Sequence, residues 1–246
     1  MSTPAIDVKG LTVHYGDLLA LDAVTLQIQP GRVCALVGMN GSGKSTLFKS
    51  IIGLVRADRG QVLIHGRPPG VARSSGMAAY VPQREEVDPD FPLSVGEVVM
   101  TGRYPKMGWT RRPRQADHAA VQMALARVGL SDLAGRPIGH LSGGQRKRVF
   151  VARGVAQGAS VLLLDEPFAG VDQHSQRAIT QVLRELANDG VAIMIATHDL
   201  DSLPELADDA VLLMRTVLMH DVPVQVLRPE NLARAFGLPG PPEHER

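Results

Sequence analysis

Gly38-Met39-Asn40-Gly41-Ser42-Gly43-Lys44-Ser45 follows the apolar run Arg32 to Val37. It precedes residues at helical spacing: Leu47, Phe48, Ile51 and Ile52, within a helix expected over 44–54. The pattern is G-x-x-x-x-G-K-[ST], and strand, loop, helix is the setting in which that pattern holds phosphate. The glycines let backbone N–H groups face inward around an anion. The start of the helix adds unpaired donors and a partial positive charge. Lys44 supplies a point charge for β- and γ-phosphates. Ser45 offers a hydroxyl to Mg²⁺, an ion that binds through few protein oxygens. The run over 32–37 is apolar at almost every position, which fits a strand buried on both faces, as in a parallel sheet.

Working outward, the alternation of strand and helix continues. Ile6, Val8 and Leu11 to Tyr15, then Leu19 to Ile28, carry apolar positions near strand spacing, and Pro30-Gly31 turns the chain. Gln61 to Ile64 is a further strand. Helices are expected from Ser94, over 115–128, after Ser142 and over 173–187. Strands are expected at Val161 to Leu164 and Val191 to Ala196. This succession gives an α/β fold with a largely parallel sheet. Residues 84–147 differ in character. An acidic, proline-bearing stretch (Glu85, Glu86, Asp88, Pro89, Asp90, Pro92) and the basic Arg111, Arg112 and Arg114 flank helical patterns, so this part reads as a helical insertion. The tail from Pro239 to Arg246 reads as disordered.

The composition bounds the rest. The chain has 246 residues, 44% hydrophobic and 21% charged, with a formal charge of +1. That is the balance of a folded chain, not a disordered one. Near-zero charge argues against a broad polyanion-binding surface. The one cysteine, Cys34, excludes an internal disulfide framework and a cysteine-rich zinc module, and its apolar flanks make it a small core residue. The eight histidines form no metal-binding spacing, so no structural metal site is expected. No run approaches the ~20 apolar residues of a membrane span, and Met1 to Asp7 has no secretory pattern. A soluble cytoplasmic protein is the expectation.

A second chemical element lies at Val161-Leu162-Leu163-Leu164-Asp165-Glu166, an apolar strand ending in two carboxylates. Asp165 can hold Mg²⁺ through water, and Glu166 can polarise an attacking water as general base. A third is Leu141-Ser142-Gly143-Gly144-Gln145. It resembles the signature of ATP-binding cassette (ABC) ATPases. On that resemblance other positions take on roles. Tyr15 is similar to the aromatic that stacks on adenine, and Thr46 joins the phosphate loop. Gln83, in Val81-Pro82-Gln83, resembles the glutamine that senses Mg²⁺ and the attacking water. Asp172 resembles the aspartate of the loop after the second carboxylate, and His198 the switch histidine.

The resemblance implies a P-loop ATPase core with an N-terminal antiparallel β subdomain and an inserted helical subdomain. It covers residues from about 5 to 238, so a single domain over 1–240 is expected, with 241–246 as a disordered tail. It also implies ATP and Mg²⁺ as ligands and a head-to-tail pair of chains. In such a pair Ser142, Gly143, Gly144 and Gln145 close on the γ-phosphate held by the partner copy. With no membrane span of its own, such a chain would work through a separate polytopic permease at the inner face of the membrane. A substrate-binding protein could be a further partner. Phe91, Leu93, Val95, Val98 and Val99 are candidates to line or support the groove that receives the permease. Nucleic-acid-linked relatives carry coiled coils, zinc modules or two cassettes. This sequence has none of these, so no nucleic acid partner is expected.

The segments Val81 to Arg84, Asp90 to Val95, Val99 to Tyr104 and Pro167 to Asp172 resemble the manganese, zinc and ferrous-iron uptake branch. Siderophore or haem import is the alternative. Met219-His220-Asp221-Val222-Pro223 departs from the family by lacking a glycine common there. Arg146, Lys147, Arg148 and Arg153 read as a solvated helix face, and Tyr104 and Trp109 as packing or partner contacts.

Overall fold

The computed structural model describes residues 3–83 and 92–236. The acidic stretch with Glu85, Glu86, Asp88, Pro89 and Asp90, together with Phe91 and the tail from Pro239, lies outside them. Two strands, β1 (Ile6–Tyr15) and β2 (Leu18–Ile28), form an antiparallel pair. The fully buried β3 (Val33–Val37) then leads into α1 (Lys44–Ile51). Next come β4 (Arg59–Ile64), α2 (Pro69–Ser74) and β5 (Ala78–Val81). Three helices follow: α3 (Val95–Thr101), α4 (Gln115–Arg127) and α5 (Gly143–Gln157). The chain returns through β6 (Val161–Asp165), α6 (Gln173–Asn188) and β7 (Ala192–Ala196). It continues with α7 (Leu203–Leu206), β8 (Asp209–Met214), β9 (Thr216–Asp221), α8 (Pro223–Val226) and α9 (Pro229–Phe236).

Two sheets result. One is antiparallel, in the order β2-β1-β4. The other has six strands in the order β5-β6-β7-β3-β8-β9, parallel except for the β8–β9 hairpin. The expected α/β architecture is therefore the observed one. Side chains of a strand alternate between faces, and here both faces are apolar. Cys34, Leu36, Leu163 and Met194 point toward α1 and the antiparallel sheet. Val33, Ala35, Leu162 and Ile193 point toward α5, α6 and the other helices. That two-sided burial is why β3, β6 and β7 read as continuous apolar runs.

Several helix starts are specified locally. Ser94 accepts a hydrogen bond from the Glu97 N–H while the Glu97 carboxylate accepts from the Ser94 N–H, a reciprocal cap. Ser142 and Gln145 cap α5 in the same way. The Asp172 Oδ1 accepts from the Ser175 N–H at 2.9 Å and caps α6. Helix α1 ends three residues before the expected Leu54, because Ile52 caps it and Gly53 follows at φ 73°.

One sequence reading is revised and two are narrowed. Three of the four basic residues of α5, Lys147, Arg148 and Arg153, reach protein carbonyls and are not simply a solvated face. Lys147 Nζ donates to the Gln83 carbonyl at 2.8 Å, Arg148 to the Val128 carbonyl and Arg153 to the Tyr80 carbonyl. Long side chains spread over apolar surface while their heads reach carbonyls. Val95, Val98 and Val99 are buried in the core that α3 shares with α4 and α5, with Leu93 packed against it, so they support a surface and do not line one. Trp109 is fully exposed and packs on nothing, while the Arg111 guanidinium lies 5.3 Å from the Tyr104 ring centre.

Two predictions follow from this packing. The Asp117 carboxylate accepts from the Arg114 N–H and from Arg103 Nε, each at 2.9 Å, and Arg103 also donates to the Ala156 carbonyl of α5. The backbone bond from Arg114, with Arg103 beside it, holds the Asp117 carboxyl below its usual value. A depressed carboxyl stabilises the fold above its unfolded value, about 3.9, and that stability is lost as pH falls through the folded value. Asp117→Asn should therefore lower stability at neutral pH and flatten its dependence in the acid range, measured by denaturant unfolding across pH. The second concerns Gly144. A Cβ there would lie 2.7 Å from Ser175 Oγ and 3.1 Å from Asp172 Oδ2. An unhindered Gly→Ala change in a helix gains about 0.5–1 kcal/mol. Ser175 is buried and cannot swing away, so Gly144→Ala should instead cost on the order of 1 kcal/mol by disturbing the α6 cap, read by the same method.

Candidate active site

The carboxyl ends of β3, β5, β6 and β7 lie along one edge of the parallel sheet, where open α/β sheets place ligands. The loop after β3 carries Gly38 to Gly43, and Gly43 adopts φ 103° with its would-be Cβ 2.7 Å from the Ala20 carbonyl. Only glycine fits that turn. Lys44 is buried, and its Nζ donates to the carbonyls of Gly38 at 2.7 Å and Met39 at 3.0 Å. Burial pulls the amine below its usual value, opposed by the nearby charges of Glu166 and Asp165.

Asp165, the last residue of β6, is buried. Its Oδ2 accepts from Ser45 Oγ at 2.8 Å and from the Tyr80 hydroxyl at 3.3 Å. Burial and the Asp165 charge push the Tyr80 phenol far above its usual value, so it remains a donor. Ser45 and Asp165 thus converge as hard oxygen donors beside the phosphate loop, a set suited to a hard divalent cation. Glu166 follows at φ 51°, a left-handed conformation that costs of order 1–3 kcal/mol in a non-glycine residue. Its N–H donates to the Ala196 carbonyl at 2.8 Å, which holds the strained turn. Its Oε2 lies 2.8 Å from Nδ1 of His198. The carboxylate is buried while the imidazole is 72% exposed.

A cleft of 250 Å³ joins these groups. Tyr15, Asn40, Gly41, Gly43, Lys44 and Ser45 line it, with Thr46, Gln83, Asp165 and Glu166. A neighbouring cleft of 520 Å³ shares Asn40, Gln83 and Glu166 and adds Gly38 and His198. Ser42 lies just behind, its buried Oγ without a hydrogen-bond partner. The other expected site residues stand apart. Ser142, Gly143, Gly144, Gln145 and Asp172 form a second cluster at the adjoining starts of α5 and α6. Ser142 and Gly143 are exposed there, and neither cleft contains them.

Two residues of the site went unread in the sequence, Tyr80 through its bond to Asp165 and Arg215 in the cleft lining. Tyr80 sits two residues before the phosphate-side turn, inside a short strand whose alanines gave it no pattern. Arg215, the residue between β8 and β9, lines the 250 Å³ cleft at φ 60°. Its N–H donates to the Ser42 carbonyl and its carbonyl accepts from Asp22, so the hairpin is pinned to the phosphate loop. No local signal marks an arginine in a left-handed turn.

Comparison with known proteins agrees with this geometry. The family model for ABC transporters matches residues 21–169. A chelated iron transport system membrane protein, YfeB of Yersinia pestis, is 46% identical over 95% of this chain and 79% of its own. The manganese transport system ATP-binding protein MntA of Synechocystis is 46% identical over 94% of this chain and 90% of its own. A solved metal-chelate type ABC transporter in an inward-facing conformation superposes with a TM-score of 0.84 at 28% identity, over 96% of this chain and 90% of that one. The phosphate loop, the paired carboxylates and this likeness together place the chain in the ABC transporter family, as one of its ATP-binding ATPases.

Proposed function

We propose that the chain hydrolyses MgATP to drive a separate membrane permease that carries a divalent metal ion of the manganese, zinc and iron class. The observation that supports the catalytic part best is the Ser45–Asp165 bond beside Lys44 and Glu166, because it gathers phosphate, cation and water chemistry in one cleft. Tyr15, 47% exposed at the end of β1, offers a face for adenine. Lys44 and the backbone of Gly38 to Thr46 hold the phosphates. Ser45, Asp165 and Gln83 would hold Mg²⁺, which when bound neutralises charge on the phosphates. Glu166 accepts the proton of the attacking water, and His198 orients the carboxylate from the open side. The Lys44 ammonium has three donors, two of them on the loop carbonyls, so the third is available to phosphate.

Ser142, Gly143, Gly144, Gln145 and Asp172 line neither of the chain's own clefts. Their place is across a twofold pair, where each exposed helix start meets the phosphate held by the other copy. Hydrolysis then removes the contact that holds the pair closed. Among the described residues no helix is long and apolar enough to cross a membrane. The relatives named for iron and manganese transport systems support a permease partner, attachment at the inner membrane face and a substrate-binding protein. A metal chelate is the second reading for the cargo, favoured by the solved metal-chelate type relative.

Glu166→Gln keeps the shape and removes the base. It should bind ATP normally, accumulate as a dimer in size-exclusion chromatography, and lose roughly 100-fold or more in turnover. Wild-type turnover in Glu166→Gln would reject Glu166 as base. Cargo is tested by uptake of radiolabelled manganese, iron and zinc against haem and iron–siderophore in cells with and without the chain. Free-ion uptake should fall when the chain is deleted and stay low with Glu166→Gln. Loss confined to haem or siderophore would reject the free-ion reading.

A further inference from the structure

Outside the nucleotide cleft, the described residues hold one group of metal-ligating side chains: Cys34, Asp209 and His220. They come from three adjacent strands. Cys34 of β3 pairs in register with Asp209 of β8, and Val211, two residues along β8, pairs with His220 of β9. Alternation along a strand therefore puts all three on one face of the sheet, the face that also carries Leu36 and Val211 toward the antiparallel sheet. The thiol, a carboxylate oxygen and a ring nitrogen lie within 4.8 Å of one another. Cys34 is fully buried, and Asp209 and His220 are 20% and 27% exposed at the side chain.

The carboxylate is only half satisfied. Asp209 Oδ2 faces the Arg32 guanidinium at 3.4 Å. Among the described residues Asp209 Oδ1 is buried without a partner at hydrogen-bond distance. Its neighbours are the Cys34 thiol and His220 Nε2, the latter an ion-pair partner at the long range of 3.9 Å when the ring is protonated. Despite burial, both hold the carboxyl below its usual value. The thiol's hydrogen bond is a long one, 3.7 Å to the neighbouring Ala35 carbonyl. A buried carboxylate oxygen met only at long range is left short of the hydrogen bonds it had in water, which is costly. A cation between the three groups would remove that cost.

We propose that Cys34, Asp209 and His220 bind one thiophilic divalent transition-metal ion, Zn²⁺ fitting best, at a site separate from the nucleotide cleft. The donor set decides the ion. Sulfur and imidazole nitrogen suit Zn²⁺, whereas Mg²⁺ and Mn²⁺ prefer oxygen alone. Around tetrahedral Zn²⁺, with bonds of about 2.0–2.3 Å, donor atoms stand roughly 3.3–3.8 Å apart. The three donor atoms lie within 4.8 Å of one another, and the Asp209–His220 pair, at 3.9 Å, already stands close to that spacing. Water completes the fourth position from the side of the partly exposed His220. Arg32 on Oδ2 fixes the carboxylate so that Oδ1 faces the ion. The ligand is the thiolate, so binding breaks the S–H bond, forms the metal–sulfur bond and releases one proton to solvent. The ion ties together β3, β8 and β9 at the end of the sheet opposite the phosphate loop. The proposal holds whatever cargo the permease carries.

The full-length chain, titrated with Co²⁺ as a coloured stand-in for Zn²⁺, tests this. Cys34 is the sole cysteine of the sequence, so a sulfur-to-cobalt charge-transfer band can have one source. One equivalent of Co²⁺ should produce that band with tetrahedral d–d absorption, and Zn²⁺ should bleach both. His220→Ala and Asp209→Asn should each weaken Co²⁺ binding roughly tenfold or more, and Cys34→Ala should abolish the band. If a variant unfolds, the wild-type chain still decides, through a Zn²⁺-dependent rise in Tm together with protection of the thiol from alkylation. Cobalt binding with no thiolate band would overturn the proposal, since exposed histidines or the nucleotide-site carboxylates would then hold the metal. Wild-type binding strength in folded His220→Ala would overturn it too.

Discussion

The hydrogen bond from Ser45 Oγ to Asp165 Oδ2 ties the start of α1 to the end of β6. These elements lie on β3 and β6, which are not neighbours, since β7 runs between them. The phosphate loop and the carboxylate pair can therefore meet only if the sheet order is kept. That order requires β3, β6 and β7 to be apolar on both faces, because helices cover one face and α1 with the antiparallel sheet covers the other. A single polar contact at the rim thus depends on burial throughout the sheet beneath it. The strain at Glu166 has the same origin. Its left-handed turn is held by a bond to the Ala196 carbonyl of β7, so the middle strand both separates the two motifs and aims the second.

What was legible in the sequence follows from how local each constraint is. The phosphate loop, the β6 carboxylates and the helix starts at Ser94 and Ser142 are specified within a few residues. Each showed at its own position, because backbone geometry and capping chemistry act over that range. Tyr80 and Arg215 were not legible. Tyr80 matters because β5 pairs with β6, and Arg215 because a hairpin about 170 residues from the phosphate loop closes onto Ser42. The solvated reading of Lys147, Arg148 and Arg153 failed for a related reason. Their partners, the carbonyls of Gln83, Val128 and Tyr80, come from other elements, and no spacing on the helix reveals them.

The Ser142-Gly-Gly-Gln145 segment shows why a motif can have two causes. Ser142 and Gln145 satisfy each other as a helix cap, and Gly144 leaves room for Ser175 and Asp172. Ser142, Gly144 and Gln145 thus each have a role inside one chain before any second copy is considered. The same packing couples the α5 start to the α6 start, so Asp172 and the signature move as one unit. A γ-phosphate at that surface would meet a preformed set of N–H donors whose ordering cost is already met within the monomer.

The two ends of the parallel sheet are chemically opposite. The carboxyl ends gather loops, and loops supply the glycines, lysine and strained carboxylate of the nucleotide cleft. The other end keeps its side chains on strands, where register alone brings Cys34, Asp209 and His220 together. Strand-borne ligands are held more rigidly than loop-borne ones, so an ion there would stiffen β3 and β8 without itself moving. Both strands reach the phosphate loop: β3 runs directly into Gly38, and the Leu213 carbonyl of β8 packs so closely on Gly38 that a Cβ would lie 2.3 Å away. A cross-link at one end would therefore be felt at the other as reduced freedom of the loop whose Gly38 and Met39 carbonyls hold Lys44.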